Sequence, residues 1–228
     1  GYTAAIGTLP LRQRIAKYYD EKYGQKIDVE RVAVTTSSSG GFVMGLMSAF
    51  EAGDTIALTL PTYPAYKNML KALDINIVEI ETTKETNYQP TAELLENSGQ
   101  KFDGIIITNP SNPTGAMINE ETLKDICSWC DNNDVRLISD EAYHGITYET
   151  PAQTALKYSD SALILNTFSK YFALTGWRLG WLITPENMAS RIKSLAENLF
   201  VSPPTISQHV ALESFNHMNV LELIPFYH

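Results

Sequence analysis

Short, uninterrupted apolar segments alternate with longer amphipathic segments along most of this 228-residue chain. Residues 104–108 (GIIIT) and 162–165 (ALIL) are typical of strands that are buried on both faces of a sheet. Residues 120–132 have the apolar spacing of a helix. Strands that alternate with helices imply crossover connections and a largely parallel sheet. The sequence therefore predicts an α/β fold with three layers, α/β/α, and we expect residues 1–228 to form one domain.

The charge balance limits the possible partners. The chain has 17 Lys and Arg residues against 26 Asp and Glu residues, which gives a net charge of −9. This excess of negative charge argues against a non-specific nucleic-acid binder and against a basic membrane-surface protein. No apolar run is long enough to span a membrane. We therefore expect neither nucleic acid nor a membrane as a partner.

The two cysteines, Cys127 and Cys130, form a single C-x-x-C motif. Such a motif can be redox-active or can supply half of a zinc site. No second C-x-x-C motif or histidine pair in the sequence is placed to complete a zinc site, so we expect no metal. The motif falls within the predicted helix at 120–132. We interpret both cysteines as ordinary helix residues of a protein in the reducing cytoplasm.

Four polar segments each follow a predicted strand, which is where parallel sheets bind ligands. The first, residues 35–41 (TTSSSGG), leads into a predicted helix at 40–51. Free N–H groups at a helix N-terminus favour an anion, and Ser38 and Ser39 would add hydroxyl donors. The alternative is a serine N-cap on a flexible turn. The segment is neither a G-x-G-x-x-G nor a Walker loop, which disfavours dinucleotides and nucleoside triphosphates.

The second and third segments place single polar side chains after buried strands. Residues 109–115 (NPSNPTG) contain two Asn-Pro pairs, so the segment is either a rigid surface loop or a rigid support for Asn112. The third segment is the D-E-A-Y sequence that starts at Asp140. A carboxylate at a buried strand end is costly unless it is paired. Asp140 is therefore either a helix N-cap or the partner of a cation, such as a protonated ring nitrogen.

The fourth segment joins a lysine to an arginine eight residues later. Residues 167–180 read TFSKYFALTGWRLG and contain Lys170 and Arg178. A single lysine is usually a solvated surface residue, but a lysine in a pocket can lose its proton and become a Schiff-base nucleophile.

Taken together, the four segments describe a site for a phosphorylated cation that reacts with an amine. The serines and Arg178 would bind the phosphate, and Asp140 would hold a ring N–H⁺. Asn112 and Tyr143 would form hydrogen bonds to a ring oxygen, and Lys170 would form the covalent link. Pyridoxal phosphate has all of these parts, including an Asp partner for its pyridinium nitrogen.

These motifs also carry a family resemblance. The combination of N-P-x-N-P-T-G, D-E-x-Y and a Ser-Lys pair followed by G-W-R-L-G resembles the class I/II aminotransferases, which belong to the fold type I superfamily of pyridoxal-phosphate enzymes. The resemblance runs through nearly all of the chain. It implies an enzyme that moves an amino group from an L-amino acid to a 2-oxo acid through a Schiff base on Lys170.

The resemblance implies a role for each side chain around the cofactor ring. Lys170, Asp140 and Tyr143 would be the catalytic residues. Asp140 would bind the pyridine nitrogen, and Asn112 and Tyr143 would contact the 3-oxygen. Tyr63 occupies the position of the family's aromatic residue that stacks on the ring.

The resemblance also implies how the phosphate is bound. Ser38, Ser39, Thr167 and Arg178 would bind it within one subunit. Tyr2 matches a tyrosine that family members contribute to the phosphate site of the neighbouring subunit. The resemblance therefore implies a homodimer with shared active sites.

Members of the family are longer than this chain at both ends. The N-terminal arm before Tyr2 and the C-terminal small domain after His228 have no counterpart here, nor does the arginine that binds the substrate carboxylate. We therefore expect residues 1–228 to be the cofactor-binding large domain of a longer aminotransferase-like chain. The amino donor and acceptor stay open.

Two other functions share these motifs. The first is a β-lyase or decarboxylase on the same scaffold, which product analysis would distinguish from an aminotransferase. The second is an aminotransferase-like sensor domain of a regulator. His144, His209 and His217 are interpreted as structural or peripheral residues.

Overall fold

The computed structural model describes residues 1–216, which contain a seven-stranded sheet with helices on both faces. The strands are β1 (Val32–Thr35), β2 (Thr55–Leu60), β3 (Asn76–Glu81), β4 (Gly104–Thr108), β5 (Arg136–Asp140), β6 (Leu163–Thr167) and β7 (Gly180–Ile183). Their order across the sheet is β1-β7-β6-β5-β4-β2-β3. Only β7 pairs antiparallel with its neighbours, so the prediction of a mainly parallel sheet is confirmed.

The helices form the two outer layers. One face of the sheet is covered by α1 (Leu9–Tyr23), α4 (Ala92–Asn97), α5 (Glu120–Asn132) and α7 (Thr205–Ser214). The other face is covered by α2 (Ser37–Ala49), α3 (Ala65–Ala72) and α6 (Ala189–Leu199). The predicted three-layer α/β/α architecture is therefore confirmed.

Strand β4 shows why the layers form. Ile105 and Ile107 pack with Leu123 and Ile126 of α5 in one apolar cluster. Ile106, between them in sequence, belongs to the cluster on the other face. Successive side chains of a strand point to opposite faces, so an unbroken apolar strand needs cover on both sides.

Local signals set the ends of several helices. Asn119 is the N-cap of α5, and its side chain accepts a hydrogen bond of 2.8 Å from the Thr122 N–H. Glu120 and Glu121 follow in the first turn, where the helix dipole favours negative charge. At the other end of a helix, Gly24 stops α1 in the left-handed conformation, with φ +68°.

Helix α2 begins at Ser37, three residues before the predicted start at residue 40. The Ser37 N–H donates to the carbonyl oxygen of Arg178 at 3.0 Å. The Thr35 hydroxyl donates to the Ser37 carbonyl oxygen at 2.7 Å. These contacts fix polar residues whose local preference is for turns, so the three serines lie in the first turn of the helix rather than before it.

Cys127 and Cys130 lie on a helix, α5, as the sequence predicted, and the structure shows both as free, buried thiols. Burial raises the pKa of the Cys127 thiol to about 12 and raises the pKa of Cys130 as well, so neither is a reactive thiolate. None of the helices within residues 1–216 is both long and apolar enough to cross a membrane.

Candidate active site

A cleft of about 260 Å³ opens at the edge of the sheet where the parallel strands end. The connection from β6 to β7 stays at this edge because the two strands are antiparallel, with Thr167 paired to Gly180. Lys170 and Arg178, both in that connection, therefore reach the same cleft. The predicted residues that line it are Ser38, Ser39, Tyr63, Asn112, Asp140, Tyr143, Thr167, Lys170 and Arg178.

The first turn of α2 forms one end of the cleft. Its N-cap, Thr36, makes no side-chain capping bond to any residue in the described range 1–216. The Ser37 N–H donates to the Arg178 carbonyl oxygen, but the N–H groups that follow it in this turn keep their capacity for an anion, and Ser38 and Ser39 line the cleft beside them. Arg178 adds positive charge, and its Nη1 donates to the Thr175 carbonyl oxygen at 3.0 Å. This end of the cleft is suited to a phosphate.

Thr167, the last residue of β6, lines the cleft next to the loop that carries Lys170. Its hydroxyl donates to the Leu179 carbonyl oxygen at 3.1 Å and accepts a hydrogen bond of 3.1 Å from the Ser169 N–H. These bonds fix the turn that carries Lys170. Because the single hydroxyl proton is directed to Leu179, Thr167 would have to redirect it in order to donate to a phosphate.

Gly180 allows the turn of α2 to approach the sheet. A Cβ atom at this position would lie 2.7 Å from the Ser38 nitrogen, 2.7 Å from the Asn166 carbonyl oxygen and 2.8 Å from the Ser37 carbonyl carbon. All three are backbone atoms, which cannot move aside as a flexible side chain can. The close contact between β7 and the start of α2 therefore requires glycine.

Gly180→Ala should lower the free energy of unfolding by roughly 1–3 kcal/mol, since overpacking against fixed backbone strains the fold. It should also weaken phosphate binding by displacing the first turn of α2. Gly176→Ala is the matched control in the same loop, because a Cβ there meets nothing within 4 Å. Urea unfolding and titration with inorganic phosphate measure the two effects. Equal stability of Gly180→Ala and Gly176→Ala would contradict this account.

Asp140 lies at the opposite end of the cleft, as the last residue of β5, and is 7% exposed. Its Oδ2 accepts a hydrogen bond of 2.5 Å from the Tyr66 hydroxyl, and its Oδ1 accepts one of 3.0 Å from the Ala142 N–H. Burial raises the pKa of the carboxyl, while these hydrogen bonds and the charge of Lys170 act in the opposite direction. Residues 142–145 form turns and no helix follows directly, so Asp140 does not cap a helix. A cation in the cleft would compensate for its burial.

The remaining predicted side chains also line the cleft. The Lys170 amine is 5.4 Å from the centre of the Tyr143 ring. Asn112 Nδ2 donates to the Tyr143 hydroxyl at 3.4 Å. Tyr63 is 43% exposed, which leaves an aromatic face open to a planar ligand. The structure thus brings an amine, an amide and two aromatic side chains into one cleft.

Several cleft residues were not predicted from the sequence: Ser37, Tyr66, Thr108, Ala142, Ser169 and Thr175. Tyr66 is the most informative of them because it bonds directly to Asp140. The only sequence signal was its position three residues after Tyr63; the Tyr66 N–H donates to the Tyr63 carbonyl oxygen at 3.2 Å, so the two residues lie in one turn.

Tyr2 is the one predicted cofactor residue that does not line this cleft. It is 87% exposed and lies in a shallow depression beside Pro203 and Pro204. Its assignment to the site of a neighbouring subunit stays a prediction.

Two of the three singled-out histidines can be placed. His144 is buried, and its Nδ1 is 2.7 Å from the Tyr23 hydroxyl. Burial lowers the pKa of His144 to about 3, so the ring is neutral, in keeping with a structural role. His209 is an exposed residue of α7, and His217 lies outside the described residues.

Comparison with known proteins gives consistent matches. A family model described as "Aminotransferase class I and II" matches residues 1–222. The chain is 43% identical to a valine–pyruvate aminotransferase from Mycobacterium tuberculosis over 94% of its own length and 56% of the relative's. It is 36% identical, over the same shares, to a (5-formylfuran-3-yl)methyl phosphate transaminase from Methanocaldococcus jannaschii.

Solved structures agree with these matches. An aminotransferase from Mycobacterium tuberculosis superposes with a TM-score of 0.94 and 42% identity, covering 97% of this chain and 58% of that one. The chain spans a little over half the length of the curated relatives described above.

Proposed function

Because this chain belongs to the class I and II aminotransferase family, we propose that the protein is a pyridoxal-phosphate-dependent aminotransferase. It would move an amino group from an L-amino acid to a 2-oxo acid. The observation that carries the proposal is one cleft that holds the Lys170 amine between the buried Asp140 carboxylate and the anion site at Arg178.

The side chains of the cleft fit pyridoxal phosphate. The buried Asp140 carboxylate suits a protonated ring nitrogen, and Asn112 and Tyr143 suit the ring oxygen. The first turn of α2 and Arg178 suit the phosphate. When bound, this cofactor supplies a cationic ring that withdraws electrons from the substrate α-carbon.

Each catalytic residue then has a defined task. Lys170 Nζ would hold the cofactor through a covalent bond to its amine. Once released from that bond, the Lys170 amine would take up the proton that leaves the substrate α-carbon and later return a proton. The negative charge of Asp140 holds the proton on the ring nitrogen, because an opposite charge within hydrogen-bond distance raises the pKa of that nitrogen.

We also propose that the protein acts as a homodimer in the cytoplasm. Tyr2 and Ile206 are 87% and 73% exposed, which supports a surface available to a second subunit. Tyr2 would reach the phosphate site of that subunit. The free Cys127 and Cys130 thiols support a reducing compartment.

The amino donor has to be identified by direct assay. Valine with pyruvate is the first pair to test, since the relative with that name is 43% identical. Other relatives are named for aspartate and for N-acetyl-LL-diaminopimelate, so these donors belong in the same panel. Product formation that requires a 2-oxo acid acceptor supports an aminotransferase, whereas pyruvate and ammonia without an acceptor would indicate a lyase.

A borohydride experiment tests the proposed function directly. The full-length protein is incubated with pyridoxal phosphate, reduced, digested and mapped by mass spectrometry. We expect a phosphopyridoxyl group on Lys170, because its amine lies in the cleft beside Asp140 and Tyr143. Pyridoxal without the phosphate, at the same concentration, should label Lys170 far less. Labelling that leaves Lys170 unmodified in the folded protein would refute the proposal.

A further inference from the structure

Tyr66 lines the cleft beside the Asp140 carboxylate. Its side chain is 1% exposed, and its hydroxyl donates to Asp140 Oδ2 at 2.5 Å. The same hydroxyl is 2.8 Å from Thr108 Oγ1. A phenol has one proton, and an ionised carboxylate can only accept. With that proton directed to Asp140, the Thr108 hydroxyl must be the donor to Tyr66, so the three groups form a one-way chain of hydrogen bonds that ends on the carboxylate.

Tyr66 is also fixed in place by its neighbours. Its ring packs against Phe42 of α2 with centroids 5.0 Å apart, and it meets the ring of Tyr63 nearly edge to face at 5.5 Å. Burial and the neighbouring charge of Asp140 raise the pKa of Tyr66 well above its usual value. The phenol therefore keeps its proton in the neutral range and remains a donor.

This geometry determines the state of the carboxylate. Each oxygen of Asp140 takes one donor from the protein, Oδ1 from Ala142 and Oδ2 from Tyr66. The plane of the carboxylate is thereby fixed while each oxygen keeps acceptor capacity for a ligand. Hydrogen bonds to the ionised form favour that form and oppose the effect of burial.

We propose that Tyr66 is a positioning residue whose hydroxyl, supported by Thr108, holds the Asp140 carboxylate ionised and oriented toward the ring nitrogen of the bound cofactor. Tyr66 acts through Asp140 and does not itself have to contact substrate. The proposal rests on the proposed function, because it assigns Tyr66 a role toward the same cofactor.

The test uses Tyr66→Phe in the full-length protein, loaded with pyridoxal phosphate that is labelled with ¹⁵N in the ring. The ¹⁵N chemical shift reports whether the ring nitrogen carries a proton. In the unmodified protein, the nitrogen should stay protonated through the neutral range. In Tyr66→Phe, the carboxylate is no longer held toward the ring nitrogen, so its charge stabilises the ring proton less and the pH at which the nitrogen loses that proton should fall by about one unit. Cofactor affinity should fall about tenfold.

Tyr19→Phe is the matched control. Tyr19 is another fully buried tyrosine, and its hydroxyl accepts a hydrogen bond of 3.2 Å from Trp181 Nε1. It packs in the cluster on the other face of the sheet. Tyr19→Phe should therefore leave the ¹⁵N titration unchanged, whatever it does to stability. Thr108→Val should lower the ¹⁵N midpoint by less than Tyr66→Phe does, and it provides a second test if Tyr66→Phe does not fold.

The outcomes separate the two proposals. If the unmodified protein forms no adduct at Lys170, the proposed function fails. If it forms the adduct and both Tyr66→Phe and Thr108→Val titrate as the unmodified protein does, the proposed function stands and Tyr66 is a packing residue only. A shift in Tyr66→Phe no larger than in Tyr19→Phe would overturn the positioning role in the same way.

Discussion

Replacing Lys170 with alanine should reduce turnover by roughly 10⁴-fold, which is the upper range for the loss of a positioned acid or base. Loss of the covalent link to the cofactor adds to this effect. Among the described residues that line the cleft, Lys170 is the only lysine. No second amine in that set can take over its proton transfer. Steady-state turnover of a donor and acceptor pair is the measurement.

Folding measurements on Lys170→Ala distinguish the loss of catalysis from the loss of the folded structure. Lys170 is only partly buried at the mouth of the cleft, so circular dichroism and thermal unfolding of Lys170→Ala should resemble those of the unmodified protein. Lys101→Ala is the control, because Lys101 is exposed just before β4, at the opposite edge of the sheet. It should retain full turnover. Turnover of Lys170→Ala within tenfold of the unmodified protein would exclude Lys170 as the catalytic amine.

The layers of the fold could be predicted because their signals are local. Ile105 and Ile107 face one helix layer and Ile106 faces the other, so three consecutive apolar residues are enough to predict a strand that is buried on both faces. The start of α2 could not be predicted in the same way. It depends on the hydrogen bond from the Ser37 N–H to the Arg178 carbonyl oxygen, which lies 141 positions away in the chain. The conformational preferences of residues near Ser37 give no indication of such a distant contact.

The same distinction between local signals and long-range contacts applies to the candidate site. Asp140 is the last residue of a strand, and Asn112 and Lys170 come shortly after one, so their positions in sequence already placed them at one edge of the sheet. Tyr66 was missed because its pattern indicates only a helix. Its function depends on meeting Asp140, 74 residues away, which only the order of β2, β4 and β5 in the sheet brings about. The residues proposed to bind a ligand were predicted from the sequence, whereas Tyr66, proposed to orient one of them, was not.

Asp140→Asn should lower turnover by roughly 10²–10³-fold, as the loss of one fixed electrostatic contact at a reacting centre does. The amide is neutral and nearly the same shape, so it removes the charge that holds the ring proton. It also creates a mismatch, because the carboxylate accepts from both Tyr66 and Ala142 and an amide has only one oxygen. One of the two donors must then face an NH₂ group.

The same substitution at Asp131 is the matched control for Asp140→Asn. Asp131 also accepts hydrogen bonds from two neighbours, the hydroxyls of Ser159 and Ser161, but it lies on α5 outside the cleft. Asp131→Asn should therefore keep full turnover, while Asp140→Asn loses it and also loses the protonated ¹⁵N signal of the bound cofactor in the neutral range. Both losses are needed, because a fold defect alone would reduce turnover without deprotonating the ring nitrogen in the cofactor that remains bound. A protonated ring nitrogen in Asp140→Asn, or turnover within tenfold of the unmodified protein, would show that another group holds the ring proton.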